Sequence, residues 1–283
     1  MGVGGLLLLA LACASGGPQA PRAPGAETAG DAPAVRVLLA SGPGPFRVRG
    51  TTAGDVTVAP GPRGVRVDGT DRGERVQLEG QALAVSGLRV RGVLDVQRIE
   101  GGVAVVNELP LEAYVAGTLA RETYPTWGPE VLRAQAVVAR TYALYQKQVA
   151  DRAALADLFA STRSQKYLGF QYREGSKLIA GESDAGRKIA AATRGKVCHY
   201  HNKIFCTYYC AVCGGSTVRG TEVFADAAPP LVSVKCDYCR EARLYRWTAE
   251  ISKTDMQKEL EPWLRDTWEE GAPTEVGKVR ESR

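Results

Sequence analysis

Two helices are predicted by residues 107–146, which read N-E-L-P-L-E-A-Y-V-A-G-T-L-A-R-E-T-Y-P-T-W-G-P-E-V-L-R-A-Q-A-V-V-A-R-T-Y-A-L-Y-Q. Pro110 and Pro129 each stand where a helix would begin, because proline fits the first turn and its missing N–H has no partner to lose there. Apolar residues then recur at the spacing of one helix face. The stripes are Leu111, Val115 and Leu119 in the first helix and Leu132, Ala136, Ala139 and Ala143 in the second. Both helices are therefore expected to pack on a core.

Glu122 falls in the last turn of the first predicted helix, where the negative end of the macrodipole disfavours a carboxylate. Tyr124 and Trp127 follow shortly after it. If these aromatic rings line a site, they would exclude water and favour the neutral form of the Glu122 carboxyl further. Their faces could also stack on a sugar ring. A carboxyl that keeps its proton can act as a general acid. The alternative is that Glu122 is a solvated helix end or the ion-pair partner of Arg121, Arg133 or Arg140.

The remainder of the chain predicts an α+β fold. Residues 35–106 consist of short runs in which apolar and polar residues alternate between glycines, the pattern of β-strands whose arginines face water. Further elements are predicted as strands within 165–176, a helix over 184–193, a hairpin over 196–209, a strand over 247–251 and a helix over 253–270. We therefore expect an N-terminal β-rich part, a central pair of packed helices and C-terminal β-hairpins with a cysteine-clamped loop.

These helices resemble the signature of the stage II sporulation protein D and amidase-enhancer family of bacterial cell-wall proteins. Members of that family show L-P-L-E, S-E-M-P and A-Q-A-V-A-A-R-T-Y-A segments, and similar segments occur here in the same order and spacing. The matching stretches are residues 107–117, 121–127, 129–144, 161–169, 190–197 and 213–217. The resemblance extends from about residue 35 to about residue 247.

The resemblance implies that Glu122 is the catalytic glutamate of a lytic transglycosylase, which cleaves peptidoglycan glycan strands. Such an enzyme does not activate water, so it needs no second carboxylate. Glu122 would protonate the glycosidic oxygen that follows N-acetylmuramic acid. It would then remove the proton of that sugar's 6-hydroxyl, which closes a 1,6-anhydro ring.

A second hypothesis is a non-catalytic wall protein that binds glycan and enhances an N-acetylmuramoyl-L-alanine amidase. The neighbours of Glu122 favour it slightly, because Arg121 and Thr123 stand where the family usually has serine and methionine. Pro125 is also displaced by one position. Arg121 is expected to pair with Glu122 and to favour the carboxylate over the acid.

Polar side chains near Glu122 are candidates to hydrogen-bond the acetamido and hydroxyl groups of a glycan. Together with the aromatic residues Tyr124 and Trp127, they are Gln135, Arg140, Tyr142, Ser161, Thr162 and Gln165. For Gln135 and Arg140 a structural role is the alternative. Both lie in an alanine-rich, buried helix, where internal backbone carbonyls would satisfy them equally well.

Two C-x-x-C motifs, Cys210–Cys213 and Cys236–Cys239, are separated by twenty-two residues. Four thiolates would close a tetrahedral zinc site with no position left for water, so the predicted metal is structural. It would tie the strand end at Gly214 and Gly215 to the loop over residues 229–238. The alternative is disulfide bonding, because exported proteins meet oxidants.

Cys198 and Cys206 flank a predicted hairpin whose loop of about three residues would place their sulfurs opposite each other. They would form a cross-strand disulfide or remain reduced core thiols. His199 and His201 would share one face of this hairpin, which raises a third hypothesis, a zinc hydrolase. The absence of an H-E-x-x-H helix argues against it, and histidines at a hairpin tip are usually exposed.

The N-terminus predicts export to the periplasm or cell envelope. Residues 1–17 contain an apolar run too short to span a membrane and resemble a signal or lipoprotein signal segment. Cleavage before Cys13 would leave a lipid anchor on that residue. Residues 18–33 predict a flexible Gly/Ala/Pro tether. Residues 34–283 would form the sporulation protein D-like domain, truncated at its C-terminus relative to the family.

The composition agrees with a globular protein. The chain has 283 residues, of which 45% are hydrophobic and 24% charged. A formal net charge of +5 is mild and spread along the chain. It indicates no nucleic-acid groove, but it would favour contact with an anionic cell wall.

Overall fold

The computed structural model describes residues 33–124, 126–151, 153–248, 250–256, 258 and 260. The signal segment, Cys13, nearly all of the tether and most of the helix predicted over 253–270 lie outside these residues. No helix in the described part combines the length and the apolar character that a membrane crossing needs.

Fifteen strands and three α-helices form the described structure, and they confirm the α+β class. The strands are β1 (Ala34–Gly42), β2 (Phe46–Thr51), β3 (Gly54–Gly61), β4 (Gly64–Val67), β5 (Thr70–Asp71), β6 (Arg75–Leu78), β7 (Leu83–Val85), β8 (Leu88–Val90), β9 (Val93–Ile99), β10 (Gly102–Pro110), β11 (Leu158–Phe159), β12 (Gln171–Glu174), β13 (Lys177–Ala180), β14 (His199–Tyr200) and β15 (Lys203–Ile204). The helices are α1 (Leu111–Glu122), α2 (Pro129–Val149) and α3 (Asp184–Ala192), with a 3₁₀ turn at Gly220–Glu222.

The core lies between two sheets and a layer of helices. One sheet has the strand order β11-β1-β10-β9-β6, and the other has the order β13-β12-β8-β7-β2-β3-β4-β5. Strand β10 is buried along almost its whole length, because α1 packs on it from one side and β3 of the second sheet from the other. Its run of valines reads as continuously apolar for that reason.

The helices begin and end as the sequence predicts. Pro110 is the N-cap of α1, and Pro129 occupies the first turn of α2. Every member of the two predicted stripes is buried. Helix α3 confirms the helix predicted over 184–193, and the Ser183 hydroxyl caps it by accepting from the Gly186 N–H at 2.9 Å. Glu122 is the last residue of α1, as expected.

The hairpin of β14 and β15 corrects the predicted loop length. Its turn has two residues, His201 and Asn202, with φ of 48° and 60°. Positive φ at both central residues is typical of a tight hairpin turn. Because Tyr200 pairs with Lys203, the same register would place Cys198 opposite residue 205 instead of Cys206. Both cysteines are free thiols, and Cys206 is fully buried.

The C-terminal part is less regular than expected. The strand predicted over 247–251 is absent at the described positions 247, 248, 250 and 251. Residues 205–245 contain a single short helical turn, and an isolated bridge joins Ser216 to Lys235. That bridge brings the glycines after the first C-x-x-C motif next to the loop that precedes the second, as the sequence predicts.

Candidate functional site

A cleft of about 210 Å³ opens at the C-terminal end of α1, and Glu122 lines it. Five segments of the chain contribute its walls. They are Arg121 and Glu122 of α1, Tyr142 of α2, the loop residues Thr162, Arg163, Ser164, Gln165 and Lys166, and finally Thr207, Tyr208, Tyr209 and Phe224. The cleft therefore joins the predicted acid to the motif that follows α2.

The Glu122 carboxylate is half-buried and is held by a backbone group. Its Oε1 accepts a hydrogen bond from the Lys166 N–H at 2.9 Å. The expected pair with Arg121 does not form, because Arg121 turns towards β12. There its Nη1 donates to the Tyr172 hydroxyl at 2.9 Å, and its guanidinium lies 5.1 Å from that ring's centroid.

The other two proposed ion-pair partners of Glu122 are also occupied elsewhere. Arg133 pairs with Glu130, one turn away on α2. Arg140 is 1% exposed and binds Glu112 through two hydrogen bonds, Nε to Oε1 at 2.9 Å and Nη2 to Oε2 at 2.6 Å. Glu122 therefore has no arginine partner among the described residues.

Arg140 lies in the interior and not in the cleft. Besides Glu112, its guanidinium donates to the carbonyls of Ala136, Ala190 and Lys196 at 3.1–3.2 Å. These contacts tie α1, α2 and α3 together. The structure thus supports the alternative in which internal carbonyls satisfy Arg140, and it adds Glu112 as a partner that the sequence did not indicate.

The remaining predicted residues divide into two groups. Tyr142, Thr162 and Gln165 line the cleft. Ser161, Gln135, Tyr124 and Trp127 are not among the described residues that line it. Tyr124 and Trp127 contact each other edge to face on the surface, with ring centroids 5.4 Å apart, and Tyr124 is 66% exposed. The Gln135 side chain is half-buried, and its Nε2 has no hydrogen-bond partner among the described residues.

Residues 207–209, T-Y-Y, form a wall of the cleft that sequence reasoning missed. Thr207 donates to the Val138 carbonyl of α2 at 2.9 Å, which holds this wall against the helix. The Tyr208 ring stacks on Phe224 with centroids 3.5 Å apart, and its hydroxyl donates to Asp226. The available signal was a pair of tyrosines directly before the first C-x-x-C motif, at the end of the hairpin predicted over 196–209, whose strands in the structure extend only over His199–Tyr200 and Lys203–Ile204.

Burial dominates the electrostatics of the cleft tyrosines. It raises the pKa of Tyr142 to about 12, although a hydrogen bond with Ser164 lowers it. Burial also raises the pKa of Tyr209, and the negative charge of Glu122 adds to that effect. Both hydroxyls therefore keep their protons at neutral pH and are available as neutral hydrogen-bond donors.

Three basic residues, Arg121, Arg163 and Lys166, also line the cleft. The Arg163 guanidinium lies 4.0 Å from the centroid of the Phe159 ring. In the described part of the chain, none of the three forms an ion pair with an acidic side chain. Their charges are therefore available to an anionic ligand.

The sequence is similar to known proteins over a region that contains Glu122. Residues 99–200 match a family model described as Stage II sporulation protein. An uncharacterized protein of Brachyspira hyodysenteriae is 34% identical over 176 residues, which cover 62% of this chain and 45% of that protein. Stage II sporulation protein D of Bacillus subtilis is 29% identical over 167 residues, 55% of this chain and 47% of that protein. These matches support the stage II sporulation protein D and amidase-enhancer family as the family that this chain resembles.

A further relative is the amidase enhancer of Bacillus subtilis, which is 28% identical over 167 residues, 58% of this chain and 20% of that protein. The chain spans about half the length or less of these curated relatives. Similarity to the sporulation protein D family supports a role connected with the cell wall and a location in the envelope or outside the cell.

The cysteine cluster follows the T-Y-Y wall of the cleft in sequence. The Sγ atoms of Cys213, Cys236 and Cys239 all lie within 4.8 Å of one another, and those of Cys213 and Cys239 are 3.6 Å apart. A zinc ion with Zn–S bonds of about 2.3 Å holds its sulfurs about 3.8 Å apart, so these three thiols fit a tetrahedral metal. In the part of the chain that the structure describes, this is the only such group of three or more potential ligands.

Cys210, the fourth predicted ligand, is near this group but outside it. Burial raises the pKa of Cys210 to about 11, and the charges of Cys213, Cys239 and Cys236 add to that effect. Two backbone hydrogen bonds hold the motifs together, from Cys236 N to the Gly215 carbonyl and from Thr217 N to the Val234 carbonyl, both at 2.9 Å.

The two histidines lie elsewhere, on the hairpin of β14 and β15. His199 and His201 are both exposed, and neither belongs to the cysteine cluster.

Proposed function

We propose that this protein is a lytic transglycosylase of peptidoglycan in which Glu122 is both the acid and the base. The observation that carries the proposal is the position of Glu122. It lies in a cleft, no arginine pairs with it among the described residues, and a backbone N–H orients its carboxylate. A catalytic acid must be fixed in direction and yet accessible to substrate, and Glu122 meets both conditions.

The reaction requires two proton transfers at the same carboxyl group. The Glu122 carboxyl donates its proton to the glycosidic oxygen that leaves C1 of N-acetylmuramic acid, and the C1–O bond breaks. The resulting carboxylate then accepts the proton of the 6-hydroxyl, whose oxygen bonds to C1 and closes the 1,6-anhydro ring. Glu122 ends in its starting state, and no water is consumed.

Other cleft residues would bind the glycan. The hydroxyl and amide groups of Tyr142, Thr162 and Gln165 are suited to acetamido and hydroxyl groups. Arg163 and Lys166 would attract an anionic wall polymer, since they line the same cleft without acidic partners in the described structure. Contact with the wall requires export, which agrees with the signal segment predicted at the N-terminus.

The cysteines would hold a structural zinc ion through Cys213, Cys236 and Cys239, with Cys210 as the fourth ligand after a small movement. The zinc ion would cross-link the two C-x-x-C motifs and would take no part in the reaction at the glycan. Because Cys210 follows Tyr208 and Tyr209 directly in sequence, this clamp would hold the T-Y-Y wall in place opposite Glu122.

A second candidate is a non-catalytic protein that binds glycan and accelerates a cell-wall amidase. The relative named amidase enhancer favours this role. So does the exposed pair of Tyr124 and Trp127, which lies outside the cleft and would suit contact with a sugar or with a partner protein.

Product analysis by mass spectrometry separates the two candidates. The purified protein, its Glu122→Gln variant and a Glu130→Gln control are each incubated with peptidoglycan glycans, with and without stem peptides. Glu130 is an exposed glutamate paired with Arg133 and is not among the described residues that line the cleft, so the control removes one carboxylate outside that lining. Products lighter by one water than hydrolysed glycan, lost only in Glu122→Gln, support the transglycosylase. If no folded variant yields products but an added amidase runs faster, the enhancer role replaces it.

A further inference from the structure

A chain of three side chains leads through the interior to the cleft. Tyr114 of α1 is fully buried, and its hydroxyl donates to the Gln165 Oε1 at 3.3 Å. The Gln165 Nε2 donates in turn to the Tyr209 hydroxyl oxygen at 3.0 Å. Gln165 is 2% exposed, so its amide is held between two tyrosines and away from solvent.

The direction of these hydrogen bonds determines where the Tyr209 proton points. An amide has one accepting oxygen and one donating nitrogen. Because the oxygen of Gln165 accepts from Tyr114, the nitrogen faces Tyr209 and donates to its oxygen. The Tyr209 hydroxyl therefore accepts from Gln165 and must offer its own proton elsewhere. Tyr209 and Glu122 line the same cleft. Burial raises the pKa of the Tyr209 hydroxyl, and the negative charge of Glu122 adds to that effect.

We propose that Tyr209 is a positioning residue, whose hydroxyl is oriented by Tyr114 and Gln165 to donate to the Glu122 carboxylate. Together with the Lys166 N–H on Oε1, this second donor would fix the plane of the carboxylate. This role rests on the proposed transglycosylase. It matters most in the second half of the reaction, when Glu122 is the carboxylate that takes the proton of the 6-hydroxyl. Only the Tyr209 hydroxyl takes part, so a variant that keeps the ring and lacks the hydroxyl loses this role.

The first variant is Tyr209→Phe, which keeps the ring and removes the hydroxyl. Loss of a hydrogen bond to a charged group predicts a kcat reduced roughly 10- to 100-fold, with KM changed by less than about twofold. Tyr167→Phe is the matched control. That tyrosine is also buried and loses a hydroxyl bonded to Asn107 at 3.2 Å, but it is not among the described residues that line the cleft.

The second variant, Gln165→Glu, reverses one hydrogen bond without changing the side-chain volume. A carboxylate only accepts, so Tyr114 and Tyr209 would both donate to it, and the Tyr209 proton would turn away from Glu122. We expect kcat to fall about as far as in Tyr209→Phe. In the double variant Gln165→Glu/Tyr209→Phe the two losses should not add, because both act through the same proton.

Four outcomes decide the matter, with thermal unfolding used to confirm that each variant is folded. A loss of kcat in Tyr209→Phe but not in Tyr167→Phe, which does not add to the loss in Gln165→Glu, supports the role. Equal activity of Tyr209→Phe and Tyr167→Phe overturns it and leaves the transglycosylase intact. A change in KM alone also overturns it, because the hydroxyl then contacts substrate and not Glu122. If the unmodified protein forms no anhydro product, the proposed function fails and this role fails with it.

Discussion

The body of the protein, residues 33–204, and the cysteine segment, residues 205–245, face each other across the cleft but are held in different ways. In the body, two sheets and three helices bury a continuous core of valine and leucine side chains. In the described cysteine segment, regular structure is limited to one 3₁₀ turn and a single bridge, and three clustered thiols lie beside that bridge. The acid side of the cleft is thus fixed by packing, whereas the T-Y-Y wall is held by hydrogen bonds to the body, from Thr207 to Val138 and from Gln165 to Tyr209.

The largest expected effect is on the acid. Glu122→Gln should lower the rate of anhydro-product formation roughly 1,000-fold or more, because it removes a general acid that also serves as the base. Both regions should keep their structure, since the amide can still accept the hydrogen bond from the Lys166 N–H. Rates are measured by mass spectrometry of released muropeptides, and folding by circular dichroism. Retained activity in this variant would remove Glu122 from the chemistry.

The next effect tests how the body is held. Arg140→Met leaves Glu112 without its partner beneath the helices, and breaking such a buried pair costs about 3–5 kcal/mol of unfolding free energy. Denaturant unfolding measures the loss. The double variant Arg140→Met/Glu112→Leu removes both charges and should recover most of that stability. A loss below about 1 kcal/mol in the single variant would mean that the arginine is not what ties the three helices together.

A third effect is confined to the cysteine segment. Chelation, or Cys236→Ser, should release about one zinc ion per chain and speed amide hydrogen exchange over residues 205–245 roughly 10- to 100-fold. Exchange in β10 and α2 should stay unchanged, because their protection comes from packing. Activity should fall even though Glu122 is intact, since the T-Y-Y wall loosens. If the purified protein holds no metal and contains disulfides between these cysteines, the clamp is covalent instead.

The smallest effect concerns charge at the cleft. Arg163→Gln and Lys166→Gln should each raise KM for glycan roughly threefold at low ionic strength, because they remove attraction for an anionic polymer. The difference from the unmodified protein should shrink as salt is added. Lys177→Gln, an exposed change on β13 away from the described cleft residues, is the control. A KM that does not respond to salt would assign these residues to another role.

The sequence predictions were accurate for features set by interactions between near neighbours in the chain, and less accurate for contacts between distant residues. The helices were predicted closely, because Pro110, Pro129 and the apolar stripes act within a few residues. The hairpin turn was predicted one residue too long, since His201 and Asn202 lack the glycine that usually marks such a turn. Arg121 was expected to pair with its neighbour Glu122, but it donates instead to the hydroxyl of Tyr172, fifty-one positions away.

The amino-acid order alone was enough for the α+β class, the bounds of α1, the start of α2 and the placing of Glu122 at a helix end, because periodicity and end signals are local. Only the tertiary structure determined which polar groups form hydrogen bonds with each other. Arg140 pairs with Glu112, the Lys166 N–H donates to Glu122, and Gln165 donates to the Tyr209 hydroxyl. These pairs are 28 to 44 residues apart in sequence. No local pattern encodes such contacts, because they depend on how the packed elements bring distant segments together.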